Sequence, residues 1–149
     1  MKDQNFKILS EKFSSIHYKS FENENLRFSS KFIFSLLKNP NISYIYKKNK
    51  GFCIFSFNKE EAEIITMAVI PKYQKQGIGF LILNQLEKEL LKSNCNKIFL
   101  DVASNNLIAL HLYKKAGFKN FGIRKNYYTI LKDKNVDAIL MEKVLNFKK

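Results

Sequence analysis

The segment that most constrains the fold lies between residues 63 and 102, where a strand, a glycine-containing loop, a helix and a second strand follow one another. Residues 63–70 form an apolar, β-branched run that Pro71 ends. Apolar residues then recur at helical spacing and predict a helix over about 77–93; they are Ile78, Ile82, Leu86 and Leu90. Residues 98–102 are almost continuously apolar, which is typical of a parallel strand covered on both faces. This unit requires a sheet with helices packed on it.

Shorter patterns on both sides of this unit predict the remaining elements. Before it we expect a short strand over 6–9, a helix carrying Phe13, Ile16 and Tyr18, a second helix over 30–38 capped by Ser29 or Ser30, and a hairpin of strands over 42–46 and 51–57. After it we expect a helix over 106–116, capped by Ser104 or Asn105 and stopped by Gly117, and strands over 119–127 and 136–144. The fold class is therefore α/β (mixed α+β), in a single domain over residues 1–149.

The composition argues against a membrane protein and against a disulfide-stabilised secreted protein. Residues 1–13 mix charges with apolar residues, unlike a signal peptide, and no run approaches the roughly 18 apolar residues of a membrane span. Cys53 and Cys95 lie far apart, in or beside apolar runs, which favours buried free thiols in a reducing compartment. We therefore expect a soluble, cytoplasmic protein with no membrane partner.

The formal net charge of +13 would suit an anionic partner such as nucleic acid. Nearly all of the positive charge is lysine, however, because Arg27 and Arg124 are the only arginines. Proteins that recognise phosphates and bases favour the planar fork of arginine, and no aromatic-interleaved basic motif is present. We expect a solvated lysine surface and no specific nucleic-acid partner. His17 and His111 lack further ligands at metal spacing, so we expect ordinary surface or partly buried histidines and no metal.

The loop Gln74-Lys75-Gln76-Gly77-Ile78-Gly79 precedes the long helix, whose first N–H groups have no helical acceptor and carry partial positive charge. Residues 75–80 contain no proline, so every main-chain N–H can donate to an anion. The loop lacks the Gly-Lys-Ser/Thr of a P-loop and the third glycine of a dinucleotide-binding loop. It is either an anion site of another kind or a tight turn.

Motifs further along the chain give this loop a context. Gln-x-x-Gly-x-Gly after a strand ending in Ala68-Val69, then Asn106, then Leu112-Tyr113-x-x-x-Gly117-Phe118, resembles the GNAT superfamily of acetyl-CoA-dependent N-acetyltransferases over residues 64–145. The resemblance implies a mixed, mostly antiparallel central sheet with helices on both faces. It also implies a V-shaped splay between the fourth and fifth strands, which here are the strands around 67–69 and 98–102.

The resemblance also implies which residues bind acetyl-CoA. Pantetheine would lie in the splay and bond the backbone of 67–69 like an added strand, and the loop would hold the pyrophosphate. The implied coenzyme-binding residues are Met67, Ala68, Val69, Gln74, Lys75, Gln76, Gly77, Ile78, Gly79, Phe80, Asn106 and Tyr113. Asn106 could equally cap its helix, and the two roles are compatible.

Two residues are candidates for the chemistry. Tyr113 matches the family's tyrosine that protonates the departing thiolate, although a helical tyrosine between apolar neighbours could be plain core. Asp101 interrupts an apolar strand where the family places a glutamate proposed as general base. Because aspartate is shorter, it would act through a bridging water, or it is a structural ion-pair partner for a lysine.

The stretch Arg124-Lys125-Asn126-Tyr127-Tyr128, with residues 136–141, resembles the N-terminal acetyltransferases, including the ribosomal-protein-alanine type. The resemblance implies that Tyr127 and Tyr128 line the acceptor pocket. Residues 26–29 read Leu-Arg-Phe-Ser, where the ribosomal-protein type has a Phe-Pro-Trp-Ser-like segment, so the acceptor is the open question. The leading acceptor is a protein N-terminus, for which the resemblance indicates a ribosomal protein. The alternatives are a small amine or lysine side chain, and a basic ribosome- or RNA-binding module with a degenerate coenzyme slot.

Overall fold

The apolar patterns of the sequence become six strands and four α-helices within residues 1–131 and 134–145, which the computed structural model describes. The helices are α1 (Lys2–Ser20), α2 (Ser30–Leu37), α3 (Ile78–Lys92) and α4 (Leu107–Lys115). The strands are β1 (Ile42–Lys47), β2 (Gly51–Phe57), β3 (Glu61–Val69), β4 (Lys97–Ala103), β5 (Lys119–Leu131) and β6 (Lys134–Val144). Short 3₁₀ turns cover Glu24–Leu26 and Pro71–Tyr73.

The strands form one sheet in the order β1-β2-β3-β4-β6-β5. All neighbours are antiparallel except β3 and β4, which are parallel and are joined by α3 as the crossover. The expected mixed, mostly antiparallel sheet is therefore confirmed.

The pairing between β3 and β4 stops halfway along both strands. Their register runs only from Glu61 opposite Lys97 to Ile64 opposite Leu100. Beyond that point the end of β3 pairs with β2 alone, and Asp101 to Ala103 pair with β6 alone. The predicted splay is confirmed, between what are the third and fourth strands of the structure.

A bulge in β3 lies where the two strands separate. Ile54 of β2 is opposite Thr66 and Phe55 is opposite Ile64, so Ile65 is an extra residue. Side chains alternate between the faces of a strand, and one inserted residue exchanges the faces of everything that follows. Met67 therefore lies on the same face as Ile64, and Thr66 lies on the opposite face.

Each face of the sheet has its own apolar core. On the α3/α4 face, α3 and α4 pack on residues that include Ile64, Met67, Ile98 and Leu100. On the α1/α2 face, α1 and α2 pack on the first three strands through Phe13, Ile16, Ile33, Leu37, Phe52, Ile54 and Ala68. Both cysteines are free and buried, as expected. In the described segments no helix combines the length and apolarity needed to cross a bilayer.

One predicted element is wrong. Residues 6–9 are not a strand but belong to α1, which starts at Lys2. Phe6 and Leu9 continue the spacing of Phe13 and Ile16, and all four pack in the same core cluster. That spacing is helical, so one long helix buries them together. Other end signals are confirmed: Ser29 Oγ caps α2 by accepting from the Phe32 N–H at 3.1 Å, and Gly117 has a left-handed φ of 97° after α4.

Candidate functional site

The loop before α3 presents a run of free main-chain donors. In the part of the chain that the structure describes, the N–H groups of residues 75–80 donate to no acceptor. Gly77 (φ 84°) and Lys75 (φ 61°) adopt left-handed backbone, which turns the chain into the helix. The space beside the Gly77 Cα is open. Converging N–H groups at a helix N-terminus can bind an anion of the size of a pyrophosphate.

Side chains of the same loop have structural contacts of their own. The Gln74 amide donates to Val69 O at 2.9 Å, and the Gln76 amide donates to Lys72 O at 3.0 Å. A Cβ on Gly79 would lie 2.7 Å from Cδ2 of Leu112, so this glycine allows α3 and α4 to approach. Ile78 begins α3 and packs against its core, and Phe80 follows in the first turn.

The end of β3 has a main-chain edge that no strand covers. The Ile70 N–H donates to Lys50 O at 2.9 Å. Because peptide groups of a strand alternate between its two edges, those of Met67 and Val69 point toward the gap and those of Ala68 toward β2. The Val69 carbonyl also accepts from the Ser20 hydroxyl at 3.0 Å.

Asn106 lies across the gap, after the end of β4. Its Oδ1 accepts from the Ala109 N–H at 3.1 Å, which makes Asn106 the cap of α4 in place of Ser104 or Asn105. The expectation of Ser104 or Asn105 as the cap was wrong by one or two positions, because the chain turns at Ala103, whose carbonyl accepts from the Asn106 N–H. The alternative that Asn106 caps its helix is confirmed.

Tyr113 is buried on the α3/α4 face, with 6 % of its surface exposed, and packs against Phe118 with ring centroids 5.6 Å apart. Its hydroxyl makes no hydrogen bond within the described residues. Burial raises the pKa of Tyr113 above its ordinary value, and the nearby Cys53 and Tyr128 raise it further. The side chain is thus both part of the core and a protonated, unused donor.

The opposite face of the gap carries charge. Asp101 alternates with Leu100 and Val102, so it points to the α1/α2 face, where its Oδ2 lies 3.5 Å from a guanidinium nitrogen of Arg124. The expected ion-pair partner was a lysine, and the observed partner is an arginine. Burial, followed by the negative charge of Asp101, raises the pKa of Tyr128 to about 12.

A bulge in β5 places the residues around Arg124. Arg124 is opposite Ala138 and Tyr128 is opposite Val136, so residues 125–127 face the single Asp137. Asp137 closes the bulge: its Oδ1 accepts from the Asn126 N–H at 2.9 Å and its Oδ2 pairs with Lys125 at 3.4 Å. The hydrogen bond from Asn126, whose φ is 53°, and then Lys125, lower the pKa of Asp137.

The two tyrosines of this strand differ in exposure. Tyr127 is exposed and Tyr128 is half-buried, with their rings edge to face at 5.0 Å. The Arg124 guanidinium lies 5.3 Å from the centre of the Tyr127 ring. Asp101, Arg124 and both tyrosines therefore form one group beside the gap.

His17 links the N-terminal helix to β3 and is fully buried, where a surface or partly buried position was expected. Its Nδ1 accepts from the Phe28 N–H at 3.2 Å, so Nε2 carries the proton and donates to Thr66 Oγ1 at 2.8 Å. The ring stacks between Phe21 and Phe28 at 4.2 and 4.6 Å. Burial lowers the pKa of His17 to about 4, which keeps it neutral. His111 is exposed, as expected.

The loop that His17 anchors reaches β5. The Asn25 side-chain amide donates to Thr129 O at 3.3 Å, so residues 21–29 bridge the region between α1 and the bulged strand. No part in the site was predicted from the sequence for His17, Asp137 or Arg124. An isolated apolar-flanked histidine and one of only two arginines were the available signals.

The arrangement has two chemically distinct sides that meet at the gap. One side offers main-chain N–H groups and an open strand edge, and the other offers a carboxylate, a guanidinium and two phenols. Among the described residues no three metal-ligating side chains come together. Such a site can hold an anionic, extended molecule on one side and a cationic group on the other.

Comparison with known proteins gives consistent matches. A family model described as acetyltransferase (GNAT) family matches residues 3–118. Over 94 residues the chain is 38% identical to the ribosomal protein bS18-alanine N-acetyltransferase of Escherichia coli (strain K12), a match that spans just under two thirds, 63%, of each protein. It is 32% identical over 102 residues to the protein of that name from Haemophilus ducreyi (strain 35000HP / ATCC 700724), covering 68% of this chain and 70% of that one.

Structural comparison extends the match. The crystal structure of the ribosomal-protein-S18-alanine N-acetyltransferase from Escherichia coli aligns with a TM-score of 0.81 at 27% identity. The alignment covers 94% of this chain and 90% of that one.

Proposed function

Because this chain belongs to the acetyltransferase (GNAT) family, we propose that it transfers the acetyl group of acetyl-CoA to the N-terminal amine of another protein. The observation that carries the proposal is the gap between β3 and β4. It has free N–H groups and an open strand edge on one side and a carboxylate among tyrosines on the other, and Tyr113 is buried in the core of the α3/α4 face.

Acetyl-CoA, the donor substrate, fits the first side. Its pyrophosphate would accept hydrogen bonds from the N–H groups of residues 75–80, and its pantetheine amides would pair with the peptide groups of Met67 and with the Val69 N–H. Gln74 and Asn106 flank that edge, and their side chains already hold Val69 and the start of α4 in place.

Tyr113 is the proposed general acid. When the amine attacks the thioester carbonyl, the C–S bond breaks and the sulfur leaves as a thiolate that needs a proton. A phenol of raised pKa would be a weak acid toward a thiolate in water. Burial in the same core, however, also raises the pKa of the Cys53 thiol, so a thiolate formed there is a stronger base than in water.

An N-terminal amine suits the other side. Its ammonium form must lose a proton before attack, and an α-amino group (pKa about 7.7 to 8.0) does so near neutral pH far more readily than lysine at about 10.4. Asp101 is 24 % exposed, so a water molecule can reach it and relay the proton. Tyr127 and Tyr128 would line the space for the acceptor's first residues.

The relatives suggest the acceptor. Two of them are named for alanine acetylation of ribosomal protein bS18, so we propose an alanine-starting ribosomal protein as the partner. We further propose that transfer takes place in the cytoplasm, which the two buried free thiols support.

Release of free coenzyme A thiol from acetyl-CoA tests the proposal. The acceptors are an alanine-starting ribosomal-protein peptide, the same peptide with a blocked N-terminus and a free lysine, and a polyamine. We expect release with the free N-terminus alone. Release with the blocked peptide or the polyamine would replace the N-terminal acceptor, and salt-dependent RNA binding without any release would replace the enzyme by a binding module.

A further inference from the structure

Two of the ion pairs beside β4 and β6, one on each face of the sheet, differ in the distance between the charged atoms. On the α3/α4 face, Lys143 donates a hydrogen bond to Glu87 at 2.7 Å, and both side chains are mostly buried. On the other face, Arg124 lies 3.5 Å from Asp101, and the contact lacks the geometry of a hydrogen bond. Charge-assisted hydrogen bonds are normally 2.7 to 2.9 Å. The Asp101 carboxylate is therefore neutralised by a cation that is not tightly bound to it.

The Arg124 side chain has a second contact besides Asp101. Its side chain is 54 % exposed, and its guanidinium already lies 5.3 Å from the Tyr127 ring, an attraction that does not need Asp101. The neighbouring Lys125 points instead to Asp137 and closes the bulge. Arg124 can thus leave Asp101 without disturbing β5.

We infer that Arg124 is a displaceable counterion of Asp101. It occupies the position that the acceptor's N-terminal ammonium takes when the acceptor binds. This inference rests on the proposed function and deepens it. A half-buried carboxylate is costly without a positive partner, so the protein supplies one while no acceptor is bound. An ammonium group has three donors and is smaller than a guanidinium, so it can approach Asp101 more closely than the Arg124 guanidinium does.

Removal of Arg124 should raise the affinity for the acceptor. Most arginines near a binding site help binding, and their removal weakens it. Here the guanidinium competes with the ammonium for one carboxylate, so its removal should tighten acceptor binding. Exposed ion pairs of this kind are worth little, which corresponds to a tightening of about two- to fivefold.

The experiment is a titration of each protein, saturated with coenzyme A, with a short alanine-starting peptide, since coenzyme A lacks the acetyl group and no transfer occurs. We expect Arg124→Gln to bind the peptide about two- to fivefold more tightly than the natural protein and Arg124→Lys to bind it as the natural protein does. Lys125→Gln removes a neighbouring cation that does not touch Asp101. It should leave peptide affinity unchanged, because the hydrogen bond from the Asn126 N–H to Asp137 still holds the bulge. A desamino analogue of the peptide, with propionyl in place of alanine, should show no difference between the proteins.

Equal or weaker binding of the peptide by Arg124→Gln overturns the inference, and so does equal tightening by Lys125→Gln. A melting temperature measured for each variant identifies any loss through misfolding, and Arg124→Lys then carries the comparison. If the natural protein acetylates the alanine-starting peptide while Arg124→Gln binds it no better, only this inference fails. If the natural protein neither binds nor acetylates any free N-terminus, the proposed function fails with it.

Discussion

The two faces of the sheet meet the gap in different ways. On the α3/α4 face the gap is bounded by main chain, as at Gly51, where an added Cβ would lie 2.8 Å from the Ala68 carbonyl oxygen. On the α1/α2 face it is bounded by exposed or half-exposed side chains on a bulged strand, held by charge. Backbone and close packing fix one side, and a few electrostatic contacts fix the other.

This difference indicates what each side can tolerate. A side built from peptide groups gives the same hydrogen bonds with almost any side chains, provided that the backbone stays in place. A side built from Asp101, Arg124 and Tyr127 changes its chemistry with a single substitution. The proposed donor site should therefore be sensitive to space and the proposed acceptor site to charge.

The largest expected effect comes from Tyr113, the proposed general acid. In Tyr113→Phe we expect kcat for acetyl transfer to fall by about 10²- to 10⁴-fold, because the leaving thiolate loses its proton donor. Stability should not fall, since the hydroxyl has no hydrogen-bond partner in the described structure. Steady-state kinetics and a thermal melt measure the two effects. An unchanged kcat would show that Tyr113 is only part of the core.

The next largest expected effect is on the pH dependence of stability and comes from His17, which is buried on the α1/α2 face. The pKa of His17 is lowered from 6.5 to about 4 in the folded protein, so the unfolded chain takes up a proton first as the pH falls. Stability is therefore complete above about pH 6.5 and decreases toward pH 4, by roughly 3 kcal/mol for this residue. Denaturant unfolding across this pH range measures it.

His17→Gln is the control for that measurement. It cannot protonate, so its stability, although lower at neutral pH, should vary less between pH 6.5 and 4. The difference between the two curves isolates His17 from the carboxylates that titrate in the same range. Parallel curves would mean that His17 does not stay neutral in the fold.

The smallest expected effect comes from adding one methyl group to the packed α3/α4 face. In Gly51→Ala the new Cβ would lie 2.8 Å from the Ala68 carbonyl and 3.1 Å from a Val69 methyl, so β3 must move. We expect a loss of about 1 to 3 kcal/mol in unfolding free energy and weaker coenzyme A binding. Chemical denaturation and calorimetry measure these.

Gly122→Ala on β5 is the matched control. Its Cβ would meet only the Leu140 side chain, at 3.2 Å, which can give way. If this change proved as costly as Gly51→Ala, the contrast between a packed face and a tolerant face would be lost.

Residues whose burial follows a regular period could be predicted from the sequence. The stripe of α3 and the apolar run of β4 had the expected structure because each period fits one element. Residues 6–9 were wrongly predicted as a strand because so short a segment fits both the helical and the strand period. Only their continuation with Phe13 and Ile16 indicates a helix.

The side-chain placements at the gap could not be read in the same way. The bulge at Ile65 changes which face the later residues of β3 occupy, and the bulge at residues 125–127 places three residues opposite one; a bulge has no periodic signature. Hence Asp101 could be suspected from its apolar neighbours, whereas its pairing with Arg124, and the part of Asp137 in placing that arginine, required the register of three strands.

The open edge of β3 also bears on self-association. Unpaired strand edges at the rim of a sheet invite strands from other molecules and lead to aggregates. Here the open groups, which are those of Met67 and the Val69 N–H, lie inside the sheet, between two strands that are joined at their other ends by the pairing of Glu61 with Lys97. A strand from a second molecule would have to enter a gap that narrows between β3 and β4, whereas a short, flexible ligand chain can enter from the wide end. The protein can therefore keep strand-like bonding capacity for a small ligand without offering it to its own copies.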